Sequence, residues 1–134
     1  MSNPFEDTDL PEALPENEMI EATIKSLKLY QKVEDNSAWF SLTLGPMSDA
    51  FAPYDTRLNY VQNGKPGKFA VETAKFVATL VGGRIEGTKL LTADGERTAD
   101  AMQAACDAAV GKLCHFKVKY KGDYTNMVEF KMED

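Results

Sequence analysis

Strict alternation of apolar and polar residues near the C-terminus is the feature that most limits how this chain can fold. Across residues 114–121, Cys, Phe, Val and Tyr alternate with His and three lysines, and Lys-Gly-Asp at 121–123 then supplies turn residues. A further strand-like segment follows at 124–132. Because successive side chains of a strand point to opposite faces, the pattern predicts an antiparallel hairpin with one apolar face and one basic face.

The first strand-like segment changes phase part-way along. Ile20 and Ile24 share one face, whereas Leu27 and Leu29 would lie on the other face of a regular strand. A bulge near Ser26 would return all four side chains to one face. A bulge also bends a strand, as happens where a small sheet curls on itself.

Two more strands are predicted before the middle of the chain. The segment "AWFSLTLG" at 38–45 alternates, with Trp39 on the side away from Phe40, and it predicts a long antiparallel hairpin with the first strand. The segment "RLNYV" at 57–61 is a plausible third strand, since the turn residues at 63–64 follow it.

The apolar period then changes from two to about 3.6 residues, which is typical of helices. Residues 66–81 carry an apolar stripe and end at two glycines, which predicts a helix of about four turns. Residues 98–110 predict a second, alanine-rich helix with Thr98 as its N-cap. We interpret residues 84–97, between the helices, as a loop.

The element order is therefore three strands, two helices and two strands. This order predicts a mainly β fold with helices: a five-stranded Greek-key barrel of the OB type, with the helices inserted between strands 3 and 4. Periodicity is equally compatible with an open α+β sheet that has its helices on one side. In a chain of 134 residues we expect an acidic flexible arm at 1–18 and a single OB-like domain at 19–134.

The negative charge of the chain is concentrated in its first residues. Residues 1–21 hold seven carboxylates and no Lys or Arg, whereas the remainder holds 14 carboxylates and 15 Lys and Arg. The stretch 112–121 contains four lysines and no carboxylate. A formal net charge of −6 therefore does not argue against a polyanionic partner, because the local field at a site decides.

The residue types give little support to an enzyme or a metal site. Cys106 and Cys114 fit no metal or redox spacing, so we predict that both are small buried residues, with a disulfide as the alternative. His115 is the only histidine, and no nearby carboxylate could orient it in a catalytic triad. No glycine-rich phosphate loop opens a helix. We expect no catalysis, no cofactor and no metal ion.

Two segments resemble phage-type single-stranded DNA-binding proteins with an OB fold. The segment "AVGKLCHFKVKYKGDYTNMVEF" is similar to their closing strands, in which Gly-Lys precedes an alternating strand, a short turn and a strand that begins with an aromatic residue. The segment "NSAWFSLTLG" is similar to their second strand. The resemblance covers residues 19–45 and 111–132. It departs at the C-terminus, where "MED" stands in place of the acidic tail that recruits replication partners in many of these proteins.

Binding of single strands without sequence readout needs cations beside the phosphates and exposed aromatic rings on which bases stack. Trp39 is the leading aromatic candidate, while Arg57 and Tyr60 belong to the strand that completes the ligand face of an OB barrel. On a regular strand Arg57 and Tyr60 cannot both face outward. The predicted nucleic-acid-binding residues are Lys28, Tyr30, Trp39, Arg57, Tyr60, Lys117, Lys119 and Lys121.

These residues also have structural interpretations. An outward Trp39 could be covered by the helices or by the arm, and the lysines of the closing hairpin could form a solvated face or protect a sheet edge. What favours the functional interpretation is that basic and aromatic side chains come from different strands that one barrel would bring together. Each feature alone is weak.

The sequence therefore predicts a non-catalytic, phage-encoded protein that binds single-stranded DNA during replication or recombination in the host cytoplasm. The alternative is a small β-barrel interaction module or inhibitor whose acidic arm, with Phe5 and Leu10, engages a replication or host protein. No stretch is long and apolar enough for a membrane span, and the N-terminus lacks a secretion signal. The sequence leaves open a homodimer and does not distinguish DNA from RNA.

Overall fold

A computed structural model describes residues 9–133, which form eight strands and two α-helices. The strands are Ile20–Lys32 (β1), Ser37–Pro46 (β2), Tyr54–Gln62 (β3), Lys65–Pro66 (β4), Arg84–Glu86 (β5), Lys89–Leu91 (β6), Leu113–Lys121 (β7) and Tyr124–Met132 (β8). The helices are Ala70–Val81 (α1) and Ala99–Ala109 (α2). A 3-10 turn at Val33–Asp35 joins β1 to β2.

Six of the strands form one antiparallel sheet in the order β4-β3-β2-β1-β7-β8. Within the described residues this sheet is open, so the predicted closed five-stranded barrel was wrong and the open α+β alternative agrees with the structure. Closure would require a ladder between β3 and β8. Instead, the two strands are connected by a side chain: the Tyr54 hydroxyl donates a hydrogen bond to the Thr125 carbonyl at 3.0 Å.

The predicted bulge in β1 was confirmed. Ile24 is opposite Leu44 and Ser26 is opposite Thr43, so Lys25 is the extra residue on β1. The bulge changes the phase of the strand, and Leu27 therefore faces the core together with the apolar residues that precede it. The buried residues of β1 are Ile20, Ala22, Ile24 and Leu27.

Both helices pack on the inward face of the sheet, where they contribute Val77, Leu80, Met102 and Cys106 to the same buried cluster as the strands. Helix α1 was predicted, although it begins about one turn later than expected. The N-cap of α2 was confirmed, because the Thr98 hydroxyl accepts a hydrogen bond from the Ala101 amide at 3.1 Å.

The segment between the helices is more regular than the predicted loop. Strands β5 and β6 form a two-stranded antiparallel ribbon whose turn includes Gly87 at a φ of 64°. Each strand has only three residues, which is too short for alternation to be recognised in the sequence. The loop prediction for residues 84–97 was therefore only partly correct.

The described part of the acidic arm lies between β7 and the segment before β3. The Asn17 amide donates to the Val118 carbonyl at 3.0 Å, and the Glu12 amide donates to the Ala50 carbonyl at 2.8 Å. The Glu16 carboxylate accepts a hydrogen bond from the Tyr120 amide at 3.1 Å. The flexibility predicted for residues 1–8, and the docking role considered for Phe5, lie outside the described residues.

Cys106 and Cys114 are both buried and both free, as the sequence predicted. Burial raises the pKa of each thiol from 9.0 to about 11, and the neighbouring Asp107 adds a smaller contribution at Cys106. Both cysteines therefore act as small core residues. In the described part of the chain, no helix is long and apolar enough to cross a membrane.

Candidate nucleic-acid interface

The outward face of β1, β2 and β3 brings together residues from three strands. Register places Lys28 opposite Ser41, and Ser41 opposite Arg57. The adjacent row on the same face contains Tyr30, Trp39 and Asn59. Four side chains from these rows, Lys28, Tyr30, Trp39 and Arg57, constitute what we call the aromatic patch.

Tyr30 and Trp39 form the centre of the aromatic patch. They are direct cross-strand partners, their ring centroids are 5.8 Å apart, and their planes differ by 14°. Stacked aromatic pairs of this kind are stabilising, and they hold both rings upright on the sheet. Tyr30 is 43% exposed and Trp39 is half-buried, so Tyr30 presents the more accessible ring.

Arg57 covers the Trp39 ring from the β3 side. Its guanidinium carbon is 4.0 Å from the ring centroid, and its Nε donates a 2.8 Å hydrogen bond to the Asn59 side-chain oxygen. Because β2 lies between β1 and β3, Tyr30 and Arg57 approach the indole from opposite sides. A base can therefore stack on the outer face of Tyr30 or on the guanidinium plane, while Trp39 supports both.

The electrostatic surroundings of the aromatic patch are mixed. A depression of about 470 Å³ beside Trp39 is lined by polar groups that include Lys32 and Asp35, and these two form an exposed ion pair at 3.6 Å. Farther along the face, Asp55 accepts a 2.6 Å hydrogen bond from Thr43. Lys28 forms no ion pair within residues 9–133, and so it is the cation best placed to meet a phosphate.

The structure does not bring Tyr60 to this face. Arg57 and Asn59 point outward, whereas Leu58 and Tyr60 point to the core side, as alternation along β3 requires. Tyr60 packs edge-on against Phe40, with ring centroids 6.2 Å apart and planes at 61°. The expectation that Tyr60 stacks on bases is therefore not supported by its position.

The lysines of β7 lie away from the aromatic patch. Strand β7 pairs with only the first residues of β1, from Ile20 to Thr23, whereas Lys28 and Tyr30 are near the end of that strand. Lys117, Lys119 and Lys121 extend beyond the start of β1, since Phe116 is already opposite Ile20. Alternation predicted the face of these lysines but could not give their position along the sheet.

The three β7 lysines also differ in their surroundings. Lys117 is half-buried and pairs with Glu129 of β8 at 3.8 Å, so part of its charge is neutralised. Lys119 and Lys121 are exposed, and neither forms an ion pair with another described residue. These two are the better candidates for any phosphate contact on this hairpin.

Sequence reasoning missed a second basic stretch. Residues 56–71 contain Arg57, Lys65 and Lys68 and no carboxylate, and Phe69 within this stretch is exposed. The absence of carboxylates was the same signal that singled out residues 112–121. The stretch spans the predicted third strand, the turn at 63–64 and the start of the predicted helix, so its charges were divided among three elements.

No group of three or more His, Cys, Asp or Glu side chains in residues 9–133 is arranged to hold a metal ion. Neither a protein-family model nor a curated protein matches the sequence. The geometry of the aromatic patch is therefore the main indication of function.

Proposed function

We propose that this protein is a non-catalytic, sequence-independent single-stranded DNA-binding protein that acts in DNA replication or recombination, encoded by a phage and located in the host cytoplasm. The observation that carries the proposal is the stack formed by Tyr30, Trp39 and Arg57 beside Lys28. Such a stack combines π surfaces for bases with positive charge for phosphates. These are the two components of a single-strand binding surface.

The patch suits single strands better than duplex DNA. Aromatic rings and guanidinium planes can stack only on bases that are not already stacked between neighbours in a helix. One acceptor that could read base edges is already occupied, because the Asn59 side-chain oxygen accepts from Arg57. Stacking tolerates every base, so we expect weak sequence preference.

A non-catalytic role fits the surroundings of the only histidine. The Nδ1 atom of His115 is buried and has no hydrogen-bond partner among the described residues. An imidazole without an orienting partner is poorly prepared to act as a general base. This supports a binding protein rather than a hydrolase built on His115.

Salt dependence of DNA binding tests the proposal. Each phosphate contact to a single strand contributes about 0.7 to the slope of log K against log salt concentration. Replacing both Lys28 and Arg57 by Gln should reduce that slope by about 1.4 and weaken binding to all sequences. Lys89→Gln, on the β5–β6 ribbon, is the matched control and should leave the slope unchanged. Equal slopes for all three proteins would exclude the patch as the phosphate-binding surface.

Phosphate contacts by the β7 lysines form a separate part of the proposal. A Lys119→Gln/Lys121→Gln double variant should have a smaller slope of log K against log salt concentration than the wild type only if the DNA reaches the β7–β8 hairpin. Lys117→Gln should change the slope less, because Glu129 already pairs with that lysine. An unchanged slope in the Lys119→Gln/Lys121→Gln and Lys117→Gln variants would show that the β7 lysines do not contact phosphates and would confine binding to the aromatic patch.

The second candidate function is a protein-interaction module that acts through the acidic arm. The observation that favours it is Leu10, which is 89% exposed and lies next to Asp9 and near Glu12. An exposed apolar side chain among carboxylates suits docking on a basic, apolar-lined groove of a partner. Deletion of residues 2–11 discriminates the two functions: DNA binding should survive or strengthen, whereas binding to a partner through the arm should disappear.

A further inference from the structure

We infer that DNA bound at the aromatic patch continues across β3 to a second stacking site formed by Lys65, Lys68 and Phe69. We call these three residues the Phe69 site. This inference rests on the proposed function and extends its binding surface. The bound DNA would cross β1, β2 and β3 at a large angle to the direction of these β-strands. It would then leave the sheet over β4.

Phe69 is an unusual residue for its position. It is the N-cap of α1, where Ser, Thr, Asp and Asn are preferred because their side chains accept a hydrogen bond from the first turn. Phe69 makes no such bond, and its ring is 56% exposed. The ring thus contributes neither a cap nor much core packing, and it is accessible to an external ligand.

Contacts of residues 67–73 with β3 place the Phe69 site at the edge of the strand that carries Arg57. The Thr73 hydroxyl donates to the Asn59 carbonyl at 2.7 Å, and the Gly67 amide donates to the Tyr60 carbonyl at 2.9 Å. Residues 67–73 therefore lie along the edge of β3 that faces away from β2. The Asn59 side chain, on the same residue, holds Arg57 against Trp39.

The separation suits neighbouring nucleotides of one strand. Adjacent strands of a sheet are about 4.8 Å apart, so β2 and β4 are about 10 Å apart across the sheet, and Phe69 follows the end of β4 by three residues. No protein element described in the structure lies between β3 and β4 in the sheet order. A bound DNA strand would reach the Phe69 site by passing over β3 and β4 at this edge of the sheet.

The charge and the cation–π geometry of the Phe69 site repeat those of the aromatic patch. Lys68 Nζ lies 5.5 Å from the centroid of the Phe69 ring, as the Arg57 guanidinium lies over Trp39. Lys65 adds a second positive charge, and residues 56–71 contain no carboxylate, while Glu72 follows in the first turn of α1. Each site thus pairs an aromatic ring with a cation. A surface that binds single strands needs both, because bases stack on the rings and the cations lie beside the phosphates.

The test compares oligonucleotides of increasing length. Fluorescence anisotropy with labelled oligothymidylates of about 4 to 16 nucleotides covers the range of site sizes known for small single-strand binding domains. Phe69→Ala should weaken binding of the longer oligonucleotides about 5-fold or more and leave the shortest bound oligonucleotide unaffected. Phe69→Tyr keeps the ring and should bind like the wild type.

Val71→Ala is the matched control, since Val71 is also exposed on the first turn of α1 but has no π face. Unchanged affinity for Phe69→Ala at every length, together with weaker binding by Tyr30→Ala, would overturn the Phe69 site while leaving the proposed function intact. Failure of the wild type to bind any oligothymidylate would overturn both. Thermal unfolding of each variant verifies that the fold is retained.

Discussion

The guanidinium of Arg57 lies over the ring of Trp39, 4.0 Å from its centroid, and Asn59 holds it there through a 2.8 Å hydrogen bond. Three residues on two strands thus build one preformed stack. Because Asn59 fixes the Arg57 side chain, less conformational entropy is lost when a base or phosphate contacts it. Binding should therefore depend on the planar shape of the Arg57 side chain as well as on its charge.

Arg57→Lys separates these two contributions. Lysine keeps the positive charge but lacks the flat guanidinium that stacks on rings and bases. We expect the salt dependence of DNA binding to be unchanged, while affinity at fixed salt falls by about 1 kcal/mol. Titrations at several salt concentrations measure both quantities. Full affinity in Arg57→Lys would show that only the charge matters.

Tyr30 provides the accessible ring of the patch. Tyr30→Ala should weaken binding to oligothymidylate by about 1–3 kcal/mol, because one stacked base loses its platform. It should also reduce the free energy of unfolding by about 1 kcal/mol through loss of the aromatic pair with Trp39. Tyr30→Phe retains the ring and should leave affinity unchanged. Equal affinities of Tyr30→Ala and Tyr30→Phe would exclude stacking on this residue.

Tyr54 joins the two sides of the open sheet. It is buried, its ring lies 5.6 Å from that of Phe116, and its hydroxyl donates to the Thr125 carbonyl. Tyr54→Phe removes only the hydrogen bond, and we expect a loss of about 0.5–1.5 kcal/mol in the free energy of unfolding. Urea unfolding measures this change. DNA affinity should stay constant, since Tyr54 faces away from the patch.

Alkaline pH should destabilise the protein through its buried thiols. The pKa of Cys106 and that of Cys114 are raised from 9.0 to about 11 in the folded state, mainly by burial. The folded state therefore keeps protons that the unfolded state releases. The contribution of these thiols to stability should be fully present below about pH 9 and should be lost as the pH rises towards 11, by up to about 2–3 kcal/mol per thiol.

Urea unfolding at pH 8, 9 and 10 tests this dependence. A Cys106→Ala/Cys114→Ala variant should show a shallower fall, although Tyr54, whose pKa is also raised by burial, will still contribute. An identical pH dependence in the variant and the wild type would show that the thiols do not control alkaline stability.

The features predicted correctly from the sequence are those that local residues determine. The bulge near Ser26 follows from the phase change between Ile24 and Leu27, and the Thr98 cap follows from one side chain and the helix that it begins. Both require only neighbouring residues. Outward orientation of Trp39 followed in the same way from alternation, whereas alternation along β3 left open whether Arg57 or Tyr60 faces outward.

The features that were missed depend on contacts between distant segments. Alternation gave the face of Lys117 but not its distance from Trp39, which depends on the short pairing of β7 with β1. Closure of the sheet depends on whether β3 and β8 form a ladder of backbone hydrogen bonds. In the structure the Tyr54 hydroxyl connects the two strands by one hydrogen bond. Phe69 was assigned to a helix interior because no capping residue marks the true beginning of α1.

Intrinsic fluorescence of Trp39 during titration with an oligothymidylate tests the central claim most directly. The protein has a single tryptophan, so any change in the signal reports on the centre of the aromatic patch. If DNA stacks on the aromatic patch, the emission should change saturably at low salt, and the change should shift to higher DNA concentrations as salt is raised. Unchanged emission at concentrations where anisotropy shows bound DNA would place the binding surface elsewhere and contradict the account.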